Sequence, residues 1–275
     1  MLIGHQNTNE GREKSRRIFS TLNRYVKPVR LGDIIALDED DIVAIVTRDM
    51  LESYPLFMGE RIIVSNTKSI PRSNKYAFTT LMTLYDCNKV LLYLYKSNRG
   101  VAIKKKDIEN YLKNRPEDRE IENYKLFLIN FWNSLKATFT EIDDYLNNET
   151  KNPAEKLRSN ENGGNIFFRP AGLLPFIESI VQISCDNKIS YNEIINKFSS
   201  IDRCVSGNIW NHILWDSIKH EMVMKNQILQ KLILRYLYNP DILMDKEKKD
   251  MVKRYASLLN IDESSAFEKI SSFTL

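Results

Sequence analysis

"IENYKLFLINFWNSLKATFTEIDDYL", residues 121–146, carries apolar side chains at 121, 124, 128, 131, 135, 139, 142 and 146. Alternating steps of three and four mark one face of a helix, because 3.6 residues make a turn. A continuous helix over this stretch would be about 39 Å long. The stripe suits a coiled-coil seam or the spine of a helical bundle, and the lack of ordered opposite charges beside it favours the bundle. Only 9 Gly and 8 Pro interrupt the 275 residues, and the apolar spacing elsewhere is mostly helical as well. The expected fold is therefore mainly α with a small β component (α+β).

Toward the N-terminus, "FTTLMTLYDCNKVLLYLYK" (78–96) reads as a buried helix, "SIPRSNK" as a turn, and "RIIVSN" (61–66) as the best strand, being short and β-branched. "MLIGH" (1–5) is a second strand candidate. Toward the C-terminus, the polar "NNETKNPAEKLRSNENGGN" (147–165) marks a loop or domain boundary. Beyond it, "FFRPAGLLPFIESIVQI", "YNEIINKF", "NQILQKLILRYLY", "KKDMVKRYASLLN" and "ESSAFEKISSF" predict further short helices. There is no internal repeat. The expected division is 1–100, a long-helix segment at 101–160, and a helical domain at 166–275.

Composition narrows the functional classes. Apolar residues make up 43 % and charged residues 28 % of the chain, with a net charge of +4, an ordinary globular balance. No window nears the roughly eighteen apolar residues of a membrane helix, and "MLIGHQNTNEG" lacks the pattern of a signal peptide. A cytoplasmic protein without membrane contact is expected. Cys87, Cys185 and Cys204 lie too far apart for a zinc knuckle or a disulfide framework. No phosphate-loop, nucleophile-elbow or HExxH pattern occurs, so no cofactor and no metal are expected.

Charge is distributed unevenly. Residues 1–30 hold seven Lys/Arg against two acids, and residues 31–60 hold one Arg against eight acids. A helix from Asn9 to about Tyr25 should end at "KPV", since Pro28 restricts Lys27 to extended backbone. On it, Ile18, Phe19, Leu22 and Val26 share an apolar face. Arg12, Arg16, Asn23 and Lys27 fall within about 60° of one another on another face, with Arg17 and Arg24 continuing around it. That face can contact phosphates, or it is simply the solvated side of an amphipathic helix.

A second helix, or a broken pair, is expected over Leu31–Glu52. Within it, Asp38 and Asp41 have capping-box-like spacing ahead of Ile42. The run Asp38, Glu39, Asp40, Asp41 could attract a divalent cation, but consecutive helical residues point in four directions and no Gly supplies a tight loop. Alternatively, the acidic turn pairs with the basic helix before it and fixes their angle. His5 and Asn7, with Asp38, Asp40 and Asp41, could line a cleft. His212 and His220 would stand about 12 Å apart on a helix, too far to share a metal. Trp210 and Trp215 would anchor two packing surfaces.

The segment "GREKSRRIFSTLNRYVKPVRLGDIIALDEDDIVAIVTRDMLE", with its aromatic, "LNR", "KPV" break and acidic turn before "IVTR", resembles the second half of the DGQHR-domain family, the group of DndB-like DNA sulfur-modification proteins. "SIPRSNKYAFTTLMTLYD", "FFRPAGLLPFI" and "WNHILWD" resemble later family segments. The resemblance implies a partial ParB/sulfiredoxin-like DGQHR region over residues 1–100, followed by a helical bundle. The DGQHR motif itself is absent, so a truncated or split member is expected, and no enzyme activity is carried over. The function implied is that of a DNA-associated accessory or regulatory protein in DNA modification (phosphorothioation) or defence. Its partner is DNA, contacted through Arg12, Arg16, Arg17, Asn23, Arg24 and Lys27. One alternative is an interaction half that pairs with a DGQHR-containing protein or with a second copy of itself. The other is a metal- or nucleotide-dependent enzyme, which no ligand spacing supports.

Overall fold

A computed structural model of the chain describes residues 8–26, 32, 35, 37–100, 107, 108, 111–159, 161–273 and 275, with the backbone alone at 9, 19, 20 and 22–26. The expected "MLIGH" strand, His5, Asn7 and the "KPV" break with Lys27 lie outside the described residues. The fold is mainly α, with two small two-stranded sheets among the described residues. The chain divides into two compact units, one of residues 1–69 and 80–130, the other of 70–79 and 131–275. Among the described residues no helix is long and apolar enough to cross a membrane.

In the first unit, α1 (Asn9–Val26) starts where Thr8 Oγ1 accepts the Gly11 N–H at 3.1 Å. α2 (Ile42–Ser53) is capped by Asp41, whose Oδ1 accepts from Val43 N at 2.8 Å and Ala44 N at 3.1 Å. The capping role read from the sequence is therefore real; it begins α2 at Ile42, and the helical state of Gly32, Ile35 and Leu37 ahead of the turn fits the broken pair expected over Leu31–Glu52. α2 is apolar nearly all round, with Ile42, Val43, Ala44 and Val46 fully buried. Such a helix belongs inside a core. It packs on α3 (Leu81–Ser97), which Thr80 caps through Thr83 N. The polar residues this burial traps are satisfied: Asn88 Nδ2 donates to Thr47 Oγ1 at 3.0 Å, and the Tyr124 hydroxyl donates to the Asn88 carbonyl. The strand expected within 61–66 is present as β1 (Ile62–Ile63), and β2 is Thr79–Thr80.

The helix expected to run unbroken over 121–146 is two helices, α4 (Asp118–Thr138) and α5 (Thr140–Leu146). Phe139 interrupts them at φ −109°, ψ 89°. Its ring is 4.5 Å from that of Phe167 and 5.8 Å from that of Phe176, centroid to centroid, and is 1 % exposed. Seating it in that aromatic cluster, between the β-branched Thr138 and Thr140, outweighs one turn of helical hydrogen bonding. The residues of α4 as far as Asn130 belong to the first unit and those from Phe131 to the second.

The second unit contains α6 (Pro170–Asn187), α7 (Tyr191–Lys197), α8 (Gln227–Tyr238), α9 (Asp245–Leu259) and α10 (Glu263–Ser271). At 18 residues α6 is longer than the short helix expected. It packs on α8, and Gln230 Nε2 donates to the Gly172 carbonyl at 3.3 Å. "WNHILWD" is turns leading into a hairpin, β3 (Trp215–Asp216) against β4 (Glu221–Met222). His212 and His220 therefore do not share a helix; each holds a positive φ, +68° and +50°. Trp210 and Trp215 are both buried, as packing anchors should be.

Candidate nucleic-acid interface

Four arginines converge on the acidic turn of the first unit, and they fall into two kinds. Arg48, on α2, donates through Nη1 to the carbonyls of Ile35 (2.8 Å) and Asp38 (2.9 Å), and through Nη2 to Glu39 Oε1 (3.2 Å). Arg115 reaches the Glu39 carbonyl at 3.3 Å, its Oε2 at 3.4 Å, and Asp118 at 3.0 Å. These two hold the turn in shape. Burial lowers the Arg48 pKa and the charge of Glu39 opposes that shift, as expected for a guanidinium drawn into the fold by a carboxylate.

Arg16 and Arg17 of α1 touch the same turn loosely. Arg16 Nη1 is 3.7 Å from Glu39 Oε1, beyond hydrogen-bond range, and Arg17 Nε is 3.1 Å from Asp40 Oδ1. That Asp40 oxygen makes no aligned hydrogen bond. The guanidinium-bearing side chains of Arg16 and Arg17 stay 60 % and 58 % exposed. Each has five N–H donors and spends few of them on the turn. The expected alternative, in which the acidic turn pairs with the basic helix, is thus seen without consuming the basic face. Arg12 is exposed as well. Asn23 and Arg24 lie on the α1 backbone, and nothing further is described of their side chains.

Of the candidate cleft residues, the described ones, Asp38, Asp40 and Asp41, share one hydrogen-bonded turn. Asp38 Oδ1 accepts from Asp40 N at 2.9 Å and Asp41 N at 3.2 Å, while Asp41 Oδ2 accepts the Tyr85 hydroxyl at 2.6 Å. Both aspartates are buried in these internal bonds. Burial raises the Asp41 pKa, partly countered by the Tyr85 bond, and burial with the Asp41 charge drives the Tyr85 phenol far above its usual range. Glu39 lines a cleft of 630 Å³ shared with Arg16, Arg48, Asp49 and Arg115. Carboxylates outnumber guanidiniums six to three around that cleft, so it is a poor anion pocket. Among the described residues no three His, Cys, Asp or Glu are placed to hold a metal ion.

Sequence reasoning overlooked Glu39 as the hub and Arg48 and Arg115 as its anchors. Arg48 stood in plain view in "IVTR", but Arg115 arrives from a distant segment with no local signal. Because Glu39 serves three guanidiniums at 6 % exposure, Glu39→Gln is expected to destabilise the first unit by about 2 kcal/mol, chiefly by stranding Arg48. Urea unfolding followed by far-ultraviolet circular dichroism reads this loss.

A family model described as DndB, DNA-sulfur modification-associated, matches residues 6–161, more than half of the chain. No curated protein and no solved structure matches it.

Proposed function

The chain belongs to the DndB family, whose members are associated with DNA sulfur modification, and from that premise we propose that it is a DNA-associated accessory or regulatory protein whose α1 lies against the phosphate backbone. The observation that carries this reading is the exposure of Arg16 and Arg17 beside, rather than within, the acidic turn. Glu39 and Asp40 orient the two guanidiniums, and the loose contacts leave donors for phosphate oxygens. Arg12, one turn earlier on the helix, extends the row, and Asn23, Arg24 and Lys27 would continue it. Phosphate contacts of this kind supply affinity and register without reading sequence.

The test is duplex affinity over a salt series for the parent chain and for Arg16→Ala/Arg17→Ala. Each lost phosphate contact removes about 0.9 from the slope of log K against log salt, so the double variant should lose about 1.8. An unchanged slope removes α1 from the interface. The same reading gives Asp40→Asn the opposite effect, about a threefold gain in affinity at low salt, because a carboxylate no longer competes for Arg17.

A further inference from the structure

Among the arginines of the second unit, Arg72, Arg158 and Arg169 stand apart. Arg158 is 3 % exposed; its Nη2 donates to Asn74 Oδ1 at 3.2 Å, while Nε and Nη1 are buried with no hydrogen-bond partner among the described residues. Arg169 donates through Nε to the Gly163 carbonyl at 2.7 Å and through Nη2 to the Ser159 carbonyl at 3.0 Å. Arg72 reaches the His220 carbonyl at 3.4 Å, and the His220 ring lies 3.2 Å from the Glu161 carbonyl. Arg169 directly, and Arg72 through His220, are thus tied to the segment that follows Arg158. The hydrogen-bond partners of all three are backbone carbonyls and one amide, and among the described residues no carboxylate forms an ion pair with any of them.

Arg235 gives the contrast. It is equally buried, yet both its terminal nitrogens meet Glu247, at 2.6 and 3.2 Å. Burial brings Arg158 down to about 10, with the charge of Arg169 adding to the effect, and burial followed by the charge of Arg72 brings Arg169 to about 10. Arg158 and Arg169 remain cations at neutral pH, and like charge sets Arg169 against both Arg158 and Arg72. A buried cation with idle donors and cationic neighbours is costly unless an anion offsets it.

We propose that Arg72, Arg158 and Arg169 form a binding site for a phosphate-type oxyanion, carried either on a nucleic-acid backbone or free in solution. Planar guanidinium forks suit tetrahedral oxyanions. Arg72 at the surface, half-buried Arg169 and buried Arg158 form a graded entry. The site is independent of α1 and stands whether or not α1 touches DNA.

Trp132, Trp210 and Trp215 are the chain's three tryptophans and all lie in this unit, so thermal unfolding followed by tryptophan fluorescence reports on it. The full chain is titrated with inorganic phosphate and, separately, with a short duplex, each against chloride at matched ionic strength. At about a hundredfold excess over Kd the bound anion should raise Tm by about 5–10 °C. Arg158→Met should raise Tm without anion and abolish the anion-induced rise. Asn74 Oδ1 keeps its donors from Tyr76 N and Ala77 N, so that change strands no partner. The exposed Arg72→Ala should weaken the response at least tenfold. A rise with inorganic phosphate identifies a free-anion site. A rise with duplex alone, retained in Arg16→Ala/Arg17→Ala and lost in Arg72→Ala, identifies a backbone phosphate. No rise with either, or a rise that survives both Arg158→Met and Arg72→Ala, overturns the proposal.

Discussion

Gly164→Ala is expected to destabilise the second unit by about 4 kcal/mol, the largest effect of any single substitution considered. Gly164 has φ +78°, and a Cβ there would stand 2.1 Å from the Leu157 carbonyl oxygen and 2.5 Å from its carbon. That oxygen cannot give way cheaply, because it accepts the Asn165 N–H at 2.8 Å. Nor can Gly164 itself move away, since its carbonyl accepts from Val205 N at 2.8 Å. Gly59→Ala is the control. It shares the positive φ, at +62°, but meets nothing within 4 Å, so only the backbone cost of about 1 kcal/mol remains. Tryptophan fluorescence should show a large fall in the urea midpoint of the second unit for Gly164→Ala, and far-ultraviolet circular dichroism a small one for Gly59→Ala, which lies in the first unit. Equal losses in the two variants would mean that the close approach to Leu157 contributes nothing.

Asp41→Ala should cost the first unit about 3 kcal/mol. One buried carboxylate caps α2 through two backbone amides and accepts the Tyr85 hydroxyl. The lost cap accounts for about 1 kcal/mol, and the stranded buried phenol and amides for about 2 more. Asp41→Asn keeps an oxygen for the cap and should cost about 1 kcal/mol. The pH dependence follows from the raised pKa of Asp41. A carboxyl that is harder to ionise in the folded state stabilises the fold fully below its unfolded pKa, and that contribution is lost as pH rises through the higher folded value. The asparagine variant lacks this titration, so its deficit against the parent should be larger near pH 4 than near pH 7. Circular dichroism melts at the two values check the sign.

Elements governed by near neighbours were legible in the sequence. The amphipathic period gave α1 almost to the residue, and the spacing of Asp38 and Asp41 ahead of Ile42 announced the cap. The opposed charges of the first sixty residues offered, as one alternative, a basic helix meeting the acidic turn, and Arg16 and Arg17 do meet Glu39 and Asp40. What escaped depends on tertiary partners. The period over 121–146 holds straight through Phe139, and only the rings of Phe167 and Phe176 explain why the helix stops there. Arg115 reaches Glu39 across 76 residues, and Arg72, Arg158 and Arg169 gather from separate segments whose spacing means nothing in one dimension. The loop that carries Arg158 read simply as polar linker, and Arg169 read as part of the helix predicted after it.

The central claim, that the chain engages DNA through the exposed arginines of α1, is met most directly by the affinity of the full chain for a labelled duplex between 50 and 200 mM salt, with ordinary and phosphorothioated DNA side by side. Three phosphate contacts, from Arg12, Arg16 and Arg17, predict log K falling with log salt at a slope of about −2.7. Absence of salt-dependent binding to either duplex, by a chain with native helicity and buried tryptophans, would contradict it.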